Sequence, residues 1–268
     1  MTREHLIAPE TVRSKTAQME RNILNFEDHE LDESINIYRV MHIESLLEIL
    51  SQRKLCLRQP AKWDDPFENY ILKKCKNLRK LHFPADIFGQ CWTLHPETDA
   101  MWRIYSSDKN SVKVKTTVEK LFSQLFFSAE VGRYPYNSCF IGKVKYVGSD
   151  EIKNLDEQVV KIVSGNGVSH NVPIAQTLLM KRIEFAHEAE VRLIFLDIEE
   201  RKPESENWTL PSMMNDAVFE FGINTKLLIE EIVLDPRMNE YTCAAYENFI
   251  RSLGYEGPLF QSQLYKVE

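Results

Sequence analysis

The segment over 183–195 limits the fold more than any other part of the chain. It reads Ile183-Glu184-Phe185-Ala186-His187-Glu188-Ala189-Glu190-Val191-Arg192-Leu193-Ile194-Phe195. Side chains alternate across an extended strand, so the pattern predicts a buried strand that carries Glu188, Glu190 and Arg192 on one face. Burying carboxylates costs free energy unless they are paired or have a chemical task. Two interpretations therefore stay open: the glutamates pair with Arg192 or with a cation on a neighbouring strand, or they carry out chemistry.

Composition indicates a folded globular protein and narrows its partners. The chain has 268 residues, of which 43% are hydrophobic and 27% charged, and its formal net charge is -7. This charge argues against a broad basic surface that wraps nucleic acid regardless of sequence, although local clusters of Lys and Arg leave local nucleic-acid contact open. No apolar run approaches the roughly 20 residues that span a bilayer.

The cysteines indicate a reducing compartment, and we predict a cytoplasmic protein that does not contact a membrane. The five cysteines are odd in number and never stand in a C-x-x-C spacing, which is typical of free thiols. Cys91 and His95 lie four residues apart, but no second pair of ligands follows. We therefore predict no metal site from this spacing.

Short strands alternate with single helices along the chain, which predicts an α+β fold. We expect an N-terminal helical arm over residues 1–34 and a catalytic domain over 35–268. Strands are predicted over 35–40, 55–57, 90–93, 111–116, 140–147, 183–195, 217–221 and 231–234. Helices are predicted over 43–50, 98–105, 118–127, 152–163, 174–182 and 239–253. The sequence has no G-x-G-x-x-G or Walker loop, which excludes the common dinucleotide and phosphate loops.

Two further motifs contain residue types that are suited to ligand binding or catalysis. Tyr38-Arg39 comes at the end of a predicted strand, where the forked donors of an arginine can clamp a phosphate. The turn Trp63-Asp64-Asp65-Pro66-Phe67-Glu68 is acidic. Its carboxylates either cap the next helix or, with Asp64, Asp65 and Glu68 as ligands, bind Mg²⁺ in a nuclease-like site.

Taken together, these motifs are similar to those of a large bacterial family catalogued as a domain of unknown function. The series is Ile37-Tyr38-Arg39, Trp63-Asp64-Asp65-Pro66-Phe67-Glu68, Cys91-Trp92-Thr93, Ala100-Met101-Trp102-Arg103-Ile104-Tyr105, Phe185-Ala186-His187-Glu188-Ala189-Glu190-Val191-Arg192-Leu193-Ile194 and Ile232-Val233-Leu234-Asp235-Pro236-Arg237-Met238. The order aromatic-Arg, hydroxyl residues and Glu-x-Glu also resembles the arginine-serine-glutamate class of ADP-ribosyltransferases. That resemblance implies a split β-sandwich with flanking helices that binds NAD in a cleft.

The resemblance also implies roles for individual residues. Glu190 would stabilise the positive charge that develops on the ribose when the nicotinamide bond breaks, and Glu188 would act on the incoming nucleophile as a general base. The NAD-binding residues implied are Arg39, Tyr38, His42, Thr116, Thr117, Trp102 and Tyr105, with Trp63 as another ring that could stack. The expected Ser-Thr-Ser run is replaced by Lys115-Thr116-Thr117, and Ser106 and Ser107 could supply the hydroxyls instead.

The function that this resemblance implies is NAD-dependent mono-ADP-ribosylation of an intracellular macromolecule, which could be RNA, DNA or protein. The resemblance to this family also implies a role as a toxin or antiphage effector that a cognate antitoxin inhibits. Two alternatives come from other classes. One is the metal-dependent nuclease built on the acidic turn, and the other is a catalytically silent module that binds a nucleotide or a protein.

Overall fold

The structure is a computed structural model that describes residues 9–27, 34–60, 63, 87–128, 131, 138–148, 150–151, 171–197 and 218–266. The helices are α1 (Pro9–Arg21), α2 (Ile43–Gln52), α3 (Asp99–Tyr105), α4 (Val118–Phe126), α5 (Asn171–Leu178), α6 (Thr225–Leu228) and α7 (Glu240–Ser252), with a 3-10 helix over Ile183–Glu188. The strands are β1 (Ile23–Leu24), β2 (Asn36–His42), β3 (Lys54–Arg58), β4 (Ile87–Thr93), β5 (Ser111–Thr117), β6 (Cys139–Lys143), β7 (Lys145–Val147), β8 (Met180–Arg182), β9 (Glu190–Leu196), β10 (Val218–Gly222), β11 (Glu231–Leu234) and β12 (Leu259–Gln261).

Ten of these strands form one large mixed sheet that splits at β4. The main path runs β1-β6-β9-β4-β2-β5-β11-β12, and β3 joins β4 beside its partner β10. One edge of β4 is shared by two strands, because Gly89 pairs with Arg58 of β3 while Thr93 pairs with Tyr38 of β2. The sheet therefore divides into two halves that diverge between β2 and β3. Strands β7 and β8 form a separate parallel pair.

The central strand β9 has both faces buried, and its alternation builds two cores. Val191, Leu193 and Phe195 belong to the larger core, while Ile194 and Leu196 belong to a smaller one that α5 covers. Because alternate residues share a face, Glu190 and Arg192 lie on the α5 side. The predicted division of faces along this strand is confirmed from residue 190 onward.

The α+β fold predicted from the sequence is confirmed, and most element boundaries agree within a few residues. The structure corrects the prediction around the glutamates. The predicted helix over 174–182 ends at Leu178 and is followed by β8, and the predicted strand over 183–195 begins only at Glu190. The predicted strand over 140–147 is two strands, β6 and β7. The sequence does not predict β12, a three-residue strand parallel to β11.

Several predictions fall on parts of the chain outside the described residues. These are the acidic side chains Asp64, Asp65 and Glu68, the lysine-rich segment over 73–80 and the predicted helix over 152–163. Within the described ranges, residues 9–21 form α1, and Ile23–Leu24 pairs in parallel with β6 at the edge of the sheet. The division into an arm over 1–34 and a domain over 35–268 stays a prediction. Among the helices that the structure describes, none is long and apolar enough to cross a membrane.

Candidate active site

The backbone around Ala189 brings the two glutamates together. The 3-10 helix ends at Glu188, Ala189 adopts a left-handed conformation with φ 42°, and β9 starts at Glu190. Neighbouring backbone holds this turn: Leu94 N donates to Ala189 O at 2.9 Å, and Val144 N donates to Glu190 O at 2.9 Å. Positive φ is uncommon for a residue with a side chain and is often found at functional sites. Here it lets a helix and a strand each present a glutamate to the same lysine.

Two buried cations hold the glutamates. Lys181 of β8 donates from Nζ to Glu188 Oε2 at 2.5 Å and to Glu190 Oε1 at 3.4 Å. Arg192 donates from Nε and Nη2 to Glu190 Oε2 at 2.9 and 2.5 Å. Its Nη1 donates to Leu178 O at 2.7 Å, so the arginine also ties β9 to the end of α5. The interpretation in which the glutamates form ion pairs is therefore correct for both.

The glutamates differ in how many of their oxygens are occupied. Both Glu190 oxygens accept hydrogen bonds, whereas Lys181 is the one side-chain donor to Glu188 among the described residues. Glu188 is nevertheless 7% exposed. One of its oxygens therefore lacks a protein donor within the part of the chain that the structure describes.

Further side chains fix the backbone and the rings around the pair. Thr93 donates from Oγ1 to Glu188 O at 2.6 Å, and Glu190 N donates to the Tyr146 hydroxyl at 2.8 Å. The Arg192 guanidinium lies 4.5 Å from the Trp63 ring, and Lys181 Nζ lies 4.6 Å from the Phe185 ring. These contacts cover the cations with aromatic surface, which favours the charged forms.

The environment shifts the two carboxyl pKa values in opposite directions. Burial raises the pKa of Glu188, and the neighbouring charge of Glu190 raises it further against the pull of Lys181. Burial alone would also raise the pKa of Glu190, but Arg192 and Lys181 outweigh it and lower the value. Burial also raises the pKa of Tyr146 to about 12, so this phenol stays protonated at neutral pH. A pair of carboxyls with separated pKa values is a common arrangement for acid and base roles.

Register places Tyr38 level with the glutamate strand. Tyr38 pairs with Thr93, and Thr93 pairs with Glu190, so all three side chains share one face of three adjacent strands. Tyr38, Thr93, Trp102 and Lys113 line a small groove on this face, which has space for about one water molecule. Small-molecule sites usually hold about 300–1,000 Å³, so the groove is too small to hold a ring or a sugar of a dinucleotide.

Two predicted ring contacts lie near this groove in different settings. Trp102 of α3 is 1% exposed, and its indole donates to Glu97 Oε1 at 2.7 Å. Tyr105, at the end of the same helix, is 44% exposed. Burial of its hydroxyl raises the pKa of Tyr105, and the charges of Glu188 and Glu190 raise it further. Tyr105 is thus the ring of this helix that is both accessible and close to the glutamates.

Arg39 lies apart from the glutamates, at the opening of the split sheet. Strand alternation puts Arg39 on the face opposite Tyr38, with Ile37 and Met41 of the larger core. It is half-buried, and burial lowers the pKa of its guanidinium, with Cys91 of β4 and Arg58 of β3 as charged or ionisable neighbours. Within the described ranges no carboxylate pairs with Arg39. Arg39 is therefore a cation that lies where β2 and β3 diverge.

The structure does not bring the other predicted binding residues to the glutamates. His42 is four positions from Tyr38, roughly 13 Å along the strand, and it hydrogen-bonds Asp108 at 2.7 Å. Thr117 caps α4 by accepting from Lys120 N, and Thr116 is fully buried with no hydrogen-bond partner for its Oγ1 among the described residues. The alternative hydroxyl is also engaged: Ser106 donates to Asp235 Oδ2 at 2.5 Å. Ser107 lies in the turn after α3.

Sequence reasoning missed Lys181 and Tyr146. The predicted helix over 174–182 contains Lys181, and the predicted strand over 140–147 contains Tyr146. Both belong to the β7–β8 pair, where Tyr146 is directly opposite Lys181. The Lys-Arg pair ahead of the glutamate segment was the one available signal, since buried carboxylates require nearby cations. In addition, no group of three His, Cys, Asp or Glu residues that could hold a metal occurs among the described residues.

Comparison with protein-family models gives one match, which includes part of this site. Residues 101–193 match the family described as "Protein of unknown function (DUF2971)". The predicted resemblance to a family of unknown function is confirmed over this stretch, which begins in α3 and includes both glutamates. No curated protein matches the sequence.

Three solved structures similar to the chain are complexes of DarT from Thermus sp. 2.9. The complex with NAD+ is 12% identical with a TM-score of 0.39, covering 86% of this chain and 96% of that one. The complex with ADP-ribosylated ssDNA is 11% identical with a TM-score of 0.37, covering 86% and 95%. The complex with carba-NAD+ is 12% identical with a TM-score of 0.36, covering 85% and 95%.

Proposed function

We propose that the protein is an NAD-dependent mono-ADP-ribosyltransferase that modifies a macromolecule at the Glu188–Glu190 pair. The observation that carries the proposal is the asymmetry of this pair. Glu190 is tied to two cations, whereas Glu188 has a raised pKa and an oxygen without a donor among the described residues. Transfer of a ribosyl group uses one carboxylate that stays ionised and one that accepts a proton.

Glu190 is suited to stabilise positive charge on the ribose. Arg192 occupies its Oε2 with two short hydrogen bonds, whereas the Lys181 contact to Oε1 is long at 3.4 Å. Oε1 can therefore accept a short hydrogen bond from a ribose hydroxyl. Because its pKa is lowered, Glu190 stays ionised at neutral pH, and its charge stabilises the transition state more than the neutral sugar.

Glu188 is suited to take a proton from the acceptor. Its raised pKa lies closer to the working pH than that of an exposed glutamate, which makes it a better general base. The carboxyl is next to Glu190, so a nucleophile that contacts it approaches the ribose carbon beside the bond that breaks. This proximity of acceptor and sugar supplies part of the catalysis.

Residues near the glutamates and at the opening of the split sheet fit parts of NAD as a substrate. Arg39 is a half-buried cation without a described carboxylate partner, which suits the diphosphate. Tyr105 offers an accessible ring near the pair. In this proposal His42, Thr116 and Thr117 serve the fold and do not bind NAD.

The test is label transfer from NAD. Purified protein is incubated with NAD labelled on the adenylate and, in separate reactions, single-stranded DNA, RNA and a protein extract. We expect label in one acceptor with wild type and a loss of at least about 100-fold with Glu190→Gln. Glu119→Gln is the matched control, because Glu119 is exposed on α4. Equal transfer by Glu190→Gln, or no transfer and no NAD binding by calorimetry with wild type, would contradict the proposal.

A role as a toxin or antiphage effector, restrained by an antitoxin protein, extends this proposal and is supported by the family resemblance alone. Induced expression in a bacterial host tests it. Wild type is expected to stop growth and Glu190→Gln to permit it. Equal growth of both strains would oppose the extension without bearing on the transferase assay.

A silent binding module is the second candidate, and one observation favours it. Glu190, Lys181 and Arg192 form a buried ion-pair network, and such networks often serve stability alone. In that case Glu190→Gln leaves NAD or nucleotide binding unchanged and wild type releases no nicotinamide. The nuclease alternative rests on Asp64, Asp65 and Glu68, which lie outside the described residues. Mg²⁺-dependent cleavage of nucleic acid would test it.

A further inference from the structure

Among the described residues, Lys181 is the one side chain that donates hydrogen bonds to both glutamates. The function proposed above assigns no role to this lysine. Its Nζ lies 2.5 Å from Glu188 Oε2 and 3.4 Å from Glu190 Oε1. The lysine is 8% exposed, so water screens these contacts little. It comes from β8, a strand outside the large sheet, and so reaches the pair independently of β9.

The distances separate the roles of the two cations. Arg192 makes two hydrogen bonds to Glu190 and none to Glu188, whereas the short contact of Lys181 is to Glu188. Glu190 is therefore held by Arg192 even when Lys181 is absent. Glu188 loses its one described side-chain donor.

We propose that Lys181 is a positioning residue that keeps Glu188 in its charged form and directs its second oxygen toward the acceptor. The proposal rests on the transferase function for its catalytic meaning, but the state of Glu188 can be measured without any substrate. Without the lysine, two buried carboxyls face each other, and one of them takes up a proton. A protonated Glu188 cannot accept a proton from a nucleophile.

The other groups that face the pair do not replace the lysine. Arg192 is committed to Glu190 and to Leu178 O. Tyr146 receives a hydrogen bond from Glu190 N. Tyr105 is close enough to feel the charges of both glutamates, but its phenol is not a cation at neutral pH.

The first experiment follows the glutamates directly by NMR. The side-chain carboxyl carbons of glutamate are labelled with ¹³C, the Glu188 signal is assigned with Glu188→Gln, and pH is varied without NAD. In Lys181→Met we expect the Glu188 titration to move upward by about one pH unit or more. Lys145→Met is the matched control, because Lys145 is an exposed lysine on the strand paired with β8. An unchanged Glu188 titration in Lys181→Met overturns the proposal.

A double-mutant cycle keeps the proposal testable if Lys181→Met folds but is too unstable to titrate. Lys181→Met, Glu188→Gln and the double variant are compared by urea unfolding. The double variant removes both partners, so we expect it to be less destabilised than the sum of the single changes. Additive effects overturn the proposal.

Kinetics then link the lysine to the reaction. We expect Lys181→Met to lower kcat for transfer at least about tenfold while KM for NAD changes little, and to move the acidic limb of the pH profile upward. Lys181→Arg keeps the charge and is expected to recover part of kcat. If the titration shifts as expected but wild type transfers no label, the transferase proposal fails and the positioning of Glu188 by Lys181 stands. A loss confined to KM would overturn the positioning role.

Discussion

Two buried groups of charged side chains differ in how fully their carboxylates are hydrogen-bonded. Asp235, at the end of β11, accepts from Arg237 N and Nε on Oδ1 and from Ser106 Oγ and Arg237 Nη2 on Oδ2. Arg237 also donates to Trp102 O and Ser106 O, which ties the end of α3 to the loop after β11. A carboxylate offers about four acceptor positions. Asp235 uses all of them within the protein, whereas one oxygen of Glu188 accepts from no donor among the described residues.

This difference separates a structural ion pair from a candidate catalytic one. Asp235 is 0% exposed and paired with one arginine. Glu188 shares its lysine with a second carboxylate, and burial raises its pKa. A saturated carboxylate has no acceptor position left for a ligand, whereas a partly satisfied one has. Mutations in the two groups therefore test which buried carboxylate stabilises the fold and which one takes part in catalysis.

The largest expected effect is on stability, from Asp235→Ala. Removing one partner of a buried pair leaves the other charge without compensation, which costs about 3–5 kcal/mol. Urea unfolding followed by circular dichroism measures the free energy of unfolding. A loss below about 1 kcal/mol would mean that the Asp235 group is not the structural member of the comparison.

Glu188→Gln is expected to reduce activity strongly and stability only slightly. The change removes the charge that burial and Glu190 disfavour, so the free energy of unfolding should change by less than for Asp235→Ala. Label transfer should fall at least about 100-fold, since glutamine cannot accept the proton. Parallel measurements of unfolding and transfer check both. A destabilisation as large as that of Asp235→Ala would remove the distinction between the groups.

The pH dependence of stability should differ in sign between the two glutamates. Because the folded pKa of Glu188 is raised above 4.5, its contribution is present below pH 4.5 and is lost as pH rises through the folded pKa. Because the folded pKa of Glu190 is lowered below 4.5, its contribution is present above pH 4.5 and is lost as pH falls through the folded pKa. Each proton involved gives a slope of at most about 1.4 kcal/mol per pH unit.

The free energy of unfolding is measured for wild type, Glu188→Gln and Glu190→Gln from pH 3 to pH 8, in steps of about one pH unit. The value for each variant is then subtracted from that for wild type. The difference for Glu188→Gln should decrease as pH rises. The difference for Glu190→Gln should decrease as pH falls. Slopes of the same sign for both variants would show that the pair is not divided as described.

The smallest effect is expected at the exposed pair of Lys226 and Glu256. Their contact is 3.0 Å, but the side chains are 66% and 80% exposed, and such pairs contribute about 0–1 kcal/mol. Lys226→Met provides the baseline for a lysine that pairs with a glutamate in water, against which Lys181→Met is compared. A larger loss in Lys226→Met would show that removing any paired lysine disturbs this fold.

Periodicity predicted the parts of the fold in which one face is buried. Ile37 of β2 and Leu121 and Leu125 of α4 follow the periods of a strand and a helix, and the structure buries all three. Periodicity could not show where β9 begins, because charged and apolar residues continue to alternate through 183–189. The left-handed turn at Ala189 and the contacts from Leu94 and Val144 decide that boundary, and they are tertiary.

The sequence predicts the two glutamates of the candidate site but not the lysine and the tyrosine that contact them. Glu188 and Glu190 stand out because they come at the start of an otherwise apolar strand pattern. Lys181 and Tyr146 lie on strands of three residues each, too short to show a period. Arg39 was identified by its place at a strand end, but only the pairing of Tyr38 with Thr93 shows that Tyr38, not Arg39, shares the face of Glu190.

The single pairing of Tyr38 with Thr93 has a consequence for how the protein gains activity during folding. Tyr38, Thr93 and Glu190 are neighbours across three strands but lie far apart along the chain. Such contacts form late, since closing long loops costs entropy before the contacts compensate for it. A nascent chain that has not yet completed β9 therefore has the aromatic side of the site and lacks its acids. Under the proposed function, NAD chemistry begins only when the whole sheet is assembled.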